Sequence, residues 1–284
     1  FFVTLFIDPL HTRLTENRMG IISPDLAAYP SDKPDKRIHL IFIHHSCGGQ
    51  LLADRGEMRE IHGGTRIYLT HPNGGGLRAA LVRNNYIVHE ASMGSRIGEE
   101  TDVCHWNRKF MNRMDEILRC SGQDRSFEDG TRNRVVIFKS CFPNSLIDSE
   151  GKEPGDPDSP QRTAANYRAA YRSLLPSFRK QPDTLFIVLT APPLVSPDRG
   201  ITSLASRAVR TLIGGHGPAD ETGTRIRAFN DWLKDEDNGW LGEYELRNVA
   251  VFDYFDILTS HGRSNWSMYP TGRGKDSHPS SEGN

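Results

Sequence analysis

Four short segments carry the residue types that acyl transfer requires. They are His44-His45-Ser46-Cys47-Gly48-Gly49, Ser92-Met93-Gly94-Ser95, Ser140-Cys141-Phe142-Pro143-Asn144-Ser145 and Lys275-Asp276-Ser277-His278-Pro279-Ser280. A serine hydroxyl is a weak nucleophile at neutral pH and needs a base beside it. Ser46 is the candidate nucleophile, His278 the candidate base, and Asp276 the candidate group that orients the imidazole. The tetrahedral intermediate of such a reaction is anionic and needs donors held ready for it. The Ser46 and Gly94 backbone N–H groups and the Asn144 side-chain amide are the candidate donors, with Gly98 competing for the place of Gly94. Each residue also has a plain structural use. Ser46 is a favoured helix cap, Asn144 and Gly94 are ordinary turn residues, His278 suits a loop, and Asp276 suits a cap or a solvated surface. What favours chemistry is the ordered set.

The segments have to be brought together by the elements before them. Short apolar runs rich in β-branched residues, at 38–44, 86–91, 135–138, 184–189 and 249–252, read as buried parallel strands. Helical patterns lie between them. Trp106, Phe110, Met114, Ile117 and Leu118 share one face, and Tyr167, Tyr171, Leu174 and Phe178 another. Ser159-Pro160 is the expected start of the latter helix, and Pro176 is expected to end or kink it. Ile226, Phe229, Trp232 and Leu233 give a third face, residues 77–82 a shorter helix, and residues 201–213 an ambiguous segment. Alternating strands and helices predict a three-layer α/β/α domain around a parallel sheet of about five strands. Ligands of such sheets bind beyond the carboxyl ends of the strands, and three of the four segments follow strands directly. Residues 142–160 form a long loop of the kind that often serves function. One domain is expected over 38–284, preceded by an N-terminal segment and lead-in loop over 1–37. The apolar start Phe1 to Ile7 reads either as a signal-peptide remnant, which would place the protein outside the cytoplasm, or as a first strand.

The order of Ser46, Gly94, Asn144 and His278-Pro279 resembles the SGNH (GDSL-like) hydrolases, a family of esterases, lipases and carbohydrate deacetylases. The resemblance covers about residues 38–284, and its motifs are short. In that family the serine follows the first strand and helps form the oxyanion hole, a glycine follows the second, an asparagine follows the third, and Asp-x-x-His-Pro lies near the end. The resemblance implies a flavodoxin-like SGNH-hydrolase fold and a Ser46–His278(–Asp276) acyl-enzyme mechanism. Three positions depart from the pattern. The nucleophile segment is His45-Ser46-Cys47 instead of Gly-Asp-Ser, Phe142 stands where a glycine is usual, and Lys275 stands three before His278 with Asp276 two before it. Side chains at i and i+2 of an extended segment share a side, so Asp276 can approach the ring from behind while Lys275 points away. The run after Pro279 resembles the lead into a last helix.

Other readings weigh less. His44-x-Ser46-x-Gly48 lacks the Gly-x-Ser-x-Gly of a nucleophile elbow. A metal-dependent hydrolase would use His44, His45, Asp276 and His278, but adjacent strand residues face opposite ways and no His-Glu-x-x-His or Cys-x-x-Cys is present. A non-catalytic sugar-binding module would hold Ser46 apart from His278. Cys47 and Cys141 end neighbouring strands and either pack together or form a disulfide. Cys104 and Cys120 bracket a helix and would lie ~24 Å apart, too far to bond.

The chain has 284 residues, with 35 Lys and Arg against 36 Asp and Glu, and neither sign forms a long block. The footprint of a nucleic-acid binder is missing, and the apolar runs fall short of the ~20 residues of a membrane span. No phosphate loop or dinucleotide fingerprint implies a cofactor, and no metal is expected. The expected substrate is a short-chain acyl ester, with O-acetyl on carbohydrate favoured. Trp106, Trp240 and Trp266 are candidates to stack on sugar rings, Trp106 more as core.

Overall fold

In this computed structural model, residues 32–196, 218–235, 237–272 and 276–284 are described. Ile38–Ile43 forms β1 and Ser46–Leu52 forms α1 directly after it. Three short strands follow, β2 (Asp54–Arg55), β3 (Arg59–Glu60) and β4 (Tyr68–His71), then α2 (Leu77–Arg83) and β5 (Tyr86–Ala91). The long helix α3 (Val103–Arg119) runs into a ribbon of β6 (Cys120–Gly122) and β7 (Arg125–Ser126). The main alternation then continues with β8 (Val135–Phe138), α4 (Ala164–Arg179), β9 (Leu185–Leu189), α5 (Pro218–Lys234) and β10 (Val249–Phe252). A short helix α6 (Tyr254–Leu258) and an antiparallel pair, β11 (Pro270–Thr271) and β12 (Asp276–Pro279), follow.

The central sheet has five parallel strands in the order β5-β1-β8-β9-β10. All five were expected from their apolar runs. Because side chains alternate along a strand, β1 sends Ile41 and Ile43 to one face and Leu40 and Phe42 to the other. The first face is covered by α3, α4 and α5 through Trp106, Phe110, Tyr167, Phe178 and Phe229, and the second by α1 and α2 through Leu51, Leu52 and Leu81. The three-layer α/β/α expectation therefore holds. Counting the sheet strands along the chain, the order is 2-1-3-4-5, with its switch point between β1 and β8. Connections leave β1 and β8 toward opposite faces, the place where open parallel sheets generally bind their ligands.

Several local expectations are corrected. Helix α4 starts at Ala164, not near Pro160, because the Thr163 side chain accepts the Asn166 N–H at 3.2 Å and caps it. Pro176 lies inside that helix, which continues to Arg179. Residues 276–279 form a strand, and the run after Pro279 closes in a turn through Gly283 and Asn284 N–H bonds to the Ser280 carbonyl, without a helix. Trp240 is not available to stack on a sugar: it is buried, with its indole N–H on the Tyr171 carbonyl at 2.7 Å. Trp106 is core, as expected. The readings of residues 1–7, 201–213 and Lys275 lie outside the described residues.

The glycines after Ser46 explain how α1 can turn back so tightly on β1. A Cβ at Gly48 would lie 2.3 Å from the Cβ of His44, and one at Gly49 would lie 2.0 Å from the Arg66 carbonyl oxygen. Gly48→Ala is therefore expected to destabilise the fold by about 1–3 kcal/mol, the usual range for forcing a methyl into a packed interior. Urea unfolding checks this, with Gly63→Ala as the control, since a Cβ at Gly63 meets nothing within 4 Å.

Candidate active site

Ser46 is the first residue of α1, and His45 before it is extended. This strand-to-helix junction lifts the Ser46 hydroxyl out of the carboxyl edge of the sheet. His278 comes from β12, which is anchored from outside the main sheet: the Ser277 hydroxyl accepts the Val195 N–H at 3.1 Å, and the Asn284 amide donates to the Asn73 carbonyl at 2.7 Å. The result is a separation of 2.8 Å between Ser46 Oγ and His278 Nε2.

The tautomer follows from the other side of the ring. His278 Nδ1 lies 2.6 Å from Asp276 Oδ1, and the same oxygen accepts the His278 backbone N–H at 2.9 Å. An ionised carboxylate can only accept, so Nδ1 carries the proton and Nε2 is left to accept from Ser46. Burial works against the Asp276 carboxylate. The hydrogen bonds from the His278 backbone and ring, with the attraction of an imidazolium, outweigh it and hold the carboxyl below its ordinary value. The extended i, i+2 arrangement expected of Asp276 is present. Phe142, where a glycine was usual, sets its ring edge-on to the imidazole with centroids 4.9 Å apart.

The expected oxyanion donors are arranged differently. The Gly94 N–H, in an exposed turn, donates to the Glu99 carboxylate at 2.5 Å. The competing Gly98 N–H donates to Ser95 Oγ at 3.0 Å. The Asn144 amide donates to Asp102 at 2.7 Å while its oxygen accepts the Val103 N–H at 3.0 Å. Asn144 thus caps the start of α3. The physical reason is shared: each donor has a local acceptor that its place in the chain order does not reveal. Of the expected set, the Ser46 N–H, at the start of α1, is the one with no acceptor among the described residues.

Neighbouring histidines are fixed structurally. His44 is fully buried, its ring nitrogens meeting the Glu90 carboxylate at 3.0 Å and the His45 carbonyl at 2.9 Å. Glu90 also pairs with Arg78. Burial opposes its charge, but His44 and Arg78 hold it ionised, below the ordinary carboxylate range. A lone Glu in the apolar run 86–91 was the signal for this pair. His45 donates to the Gly98 carbonyl at 2.9 Å. Lys109 reaches the Ile97 carbonyl of that same loop at 2.6 Å and also the Glu99 carbonyl, and burial lowers its ammonium to about 8. Among the described residues no group of three or more His, Cys, Asp or Glu is placed to hold a metal ion.

The acidic loop 142–160 is likewise engaged. Asp158 pairs with Arg108, and Glu153 with Arg168 and Arg172, which ties the loop to α3 and α4. No helix among the described residues is long and apolar enough to cross a membrane.

No family model matches the chain. No curated protein matches it either. Among solved structures, a crystal structure aligns over 87% of this chain and 90% of its own, at 14% identity and a TM-score of 0.36. That likeness is too low to carry an argument about function.

Proposed function

We propose that the protein is a serine hydrolase of the SGNH type that cleaves short-chain acyl esters. The observation that carries this reading is the continuous line Ser46 Oγ, His278 Nε2, His278 Nδ1, Asp276 Oδ1, with contacts of 2.8 and 2.6 Å. Ser46 Oγ attacks the ester carbonyl as His278 takes its proton. The imidazolium faces the Asp276 carboxylate, which holds it in place. The Ser46 N–H at the start of α1 meets the developing oxyanion. His278 then gives its proton to the leaving alkoxide, and water repeats the sequence on the acyl-serine. A sugar-binding module would have no use for a serine hydrogen-bonded to an oriented histidine.

The substrate side is read from exposure. The His278 side chain is 24% exposed and Asp276 48%, so the pair lies near the surface, where an acyl group on a large polar molecule can reach it. An O-acetyl group on carbohydrate fits this best. A fluorophosphonate probe tests the nucleophile: intact protein should gain one phosphonyl group, on the peptide containing Ser46. Labelling elsewhere, or none, sinks the reading. Hydrolysis of p-nitrophenyl acetate should be unchanged by EDTA.

A further inference from the structure

Beside Ser46 lies a group of side chains that ester cleavage does not use. Cys141 follows β8, and its Sγ stands 3.8 Å from Ser46 Oγ and 3.8 Å from Lys139 Nζ. Lys139 is fully buried. A buried ammonium is costly unless it is paired, and the partner its Nζ meets among the described residues is the Cys141 sulfur. Cys47, also fully buried, follows Ser46 in the first turn of α1. These contacts follow from topology, since β1 and β8 are parallel neighbours with Ile43 opposite Phe138. The Lys139 ammonium and the Ser46 hydroxyl therefore meet one sulfur, an environment that suits a thiolate. The Cys47 hydrogen bond, then Lys139, hold the Cys141 thiol well below its ordinary value against the effect of burial. Cys47 is pushed up by the same bond and by its own burial. Cys141 is partly exposed, and both cysteines are free.

We infer that Cys141 is a peroxide-reactive thiolate at the edge of the Ser46 site and that Cys47 is its resolving partner, so that oxidation ties the first turn of α1 to the segment after β8. The Cys141 sulfur attacks one peroxide oxygen, the O–O bond breaks, and hydroxide leaves a sulfenic acid behind. The Cys47 sulfur then attacks Cys141 Sγ, and the S–O bond breaks. The departing oxygen leaves as water with the Cys47 proton. Two thiols lose two electrons and two protons, and one peroxide becomes two waters. The bond draws the sulfurs together directly under Ser46, so it disturbs the serine's alignment with His278. The loss of ester cleavage rests on the function proposed above; the disulfide itself does not.

The test uses the full chain with hydrogen peroxide, followed by peptide mass spectrometry. The expected product is a cross-link between the Cys47 and Cys141 peptides, lighter by two hydrogens and reversed by dithiothreitol. Iodoacetamide at pH 6 should alkylate Cys141 at least ~10-fold faster than Cys104, whose thiol burial pushes up. Lys139→Met should reduce that advantage. Cys47→Ser keeps the size of the side chain and should stop oxidation at a dimedone-trappable sulfenic acid on Cys141. Wild-type protein that forms no such cross-link, or whose Cys141 reacts no faster than Cys104, overturns the inference. Protein that forms the cross-link but never hydrolyses an ester upholds it and sinks the esterase reading instead.

Discussion

Replacing Ser46 with Ala should abolish ester hydrolysis, with kcat falling by ~10⁴–10⁶. The expected magnitude follows from geometry. In the proposed mechanism Ser46 supplies the attacking oxygen, the proton that His278 takes across the 2.8 Å contact, and a backbone donor that stays in place when the side chain is cut. His278→Ala should cost about as much, because a hydroxyl without its base is nearly inert at neutral pH. The two act as a unit, so the double variant should lose little beyond either single one. Steady-state hydrolysis of p-nitrophenyl acetate, with circular dichroism to verify the fold, reads all three. A Ser46→Ala protein that keeps most of its activity would remove Ser46 as the nucleophile.

Asp276→Asn should lower kcat by up to ~10⁴ while KM and the fold stay nearly unchanged. The carboxylate oxygen accepts two hydrogen bonds, from the His278 backbone N–H and from Nδ1. Asn keeps one acceptor oxygen for the backbone turn, so the segment should hold its shape. It loses the charge that balances an imidazolium, and its amide can instead donate to Nδ1 and impose the wrong tautomer. Since the Asp276 carboxyl lies below its ordinary value, its contribution to stability is present above the unfolded pKa and is lost as pH falls through the lower folded one. The Asp276–His278 contact should therefore persist at mildly acid pH. A loss of under tenfold would mean that His278 works with Ser46 as a dyad.

The five sheet strands and the Ser46 placement were legible from local pattern plus a topological rule, while His278 and Asp276 were placed by the resemblance of the terminal segment to Asp-x-x-His-Pro. An apolar β-branched run announces a buried strand, and the residue after it lands at the sheet edge. Gly94, Asn144 and Gly98 were at the expected places in order, but a donor's availability depends on its neighbours in space. Glu99, Asp102 and Ser95 took those hydrogens, and no spacing in the sequence shows that. Trp240 failed for a similar reason: only the position of α4 reveals that the Tyr171 carbonyl waits for its indole. The strands β2, β3, β6 and β7 are two or three residues long, too short for a period of two to register. Lys139 ends an apolar run, where a buried lysine must be paired or is costly.

Ser46 and His278 stand 232 residues apart in the chain. The first sheet strand and its helix can fold with the serine already exposed, yet that serine has no base until β12 docks against the finished sheet. In the mechanism proposed above, nucleophilic power is thus a property of the last long-range contact to close, and closing so large a loop is slow compared with local folding. A nascent or half-folded molecule carries an inert hydroxyl. On that mechanism, reactivity doubles as a mark of completed assembly.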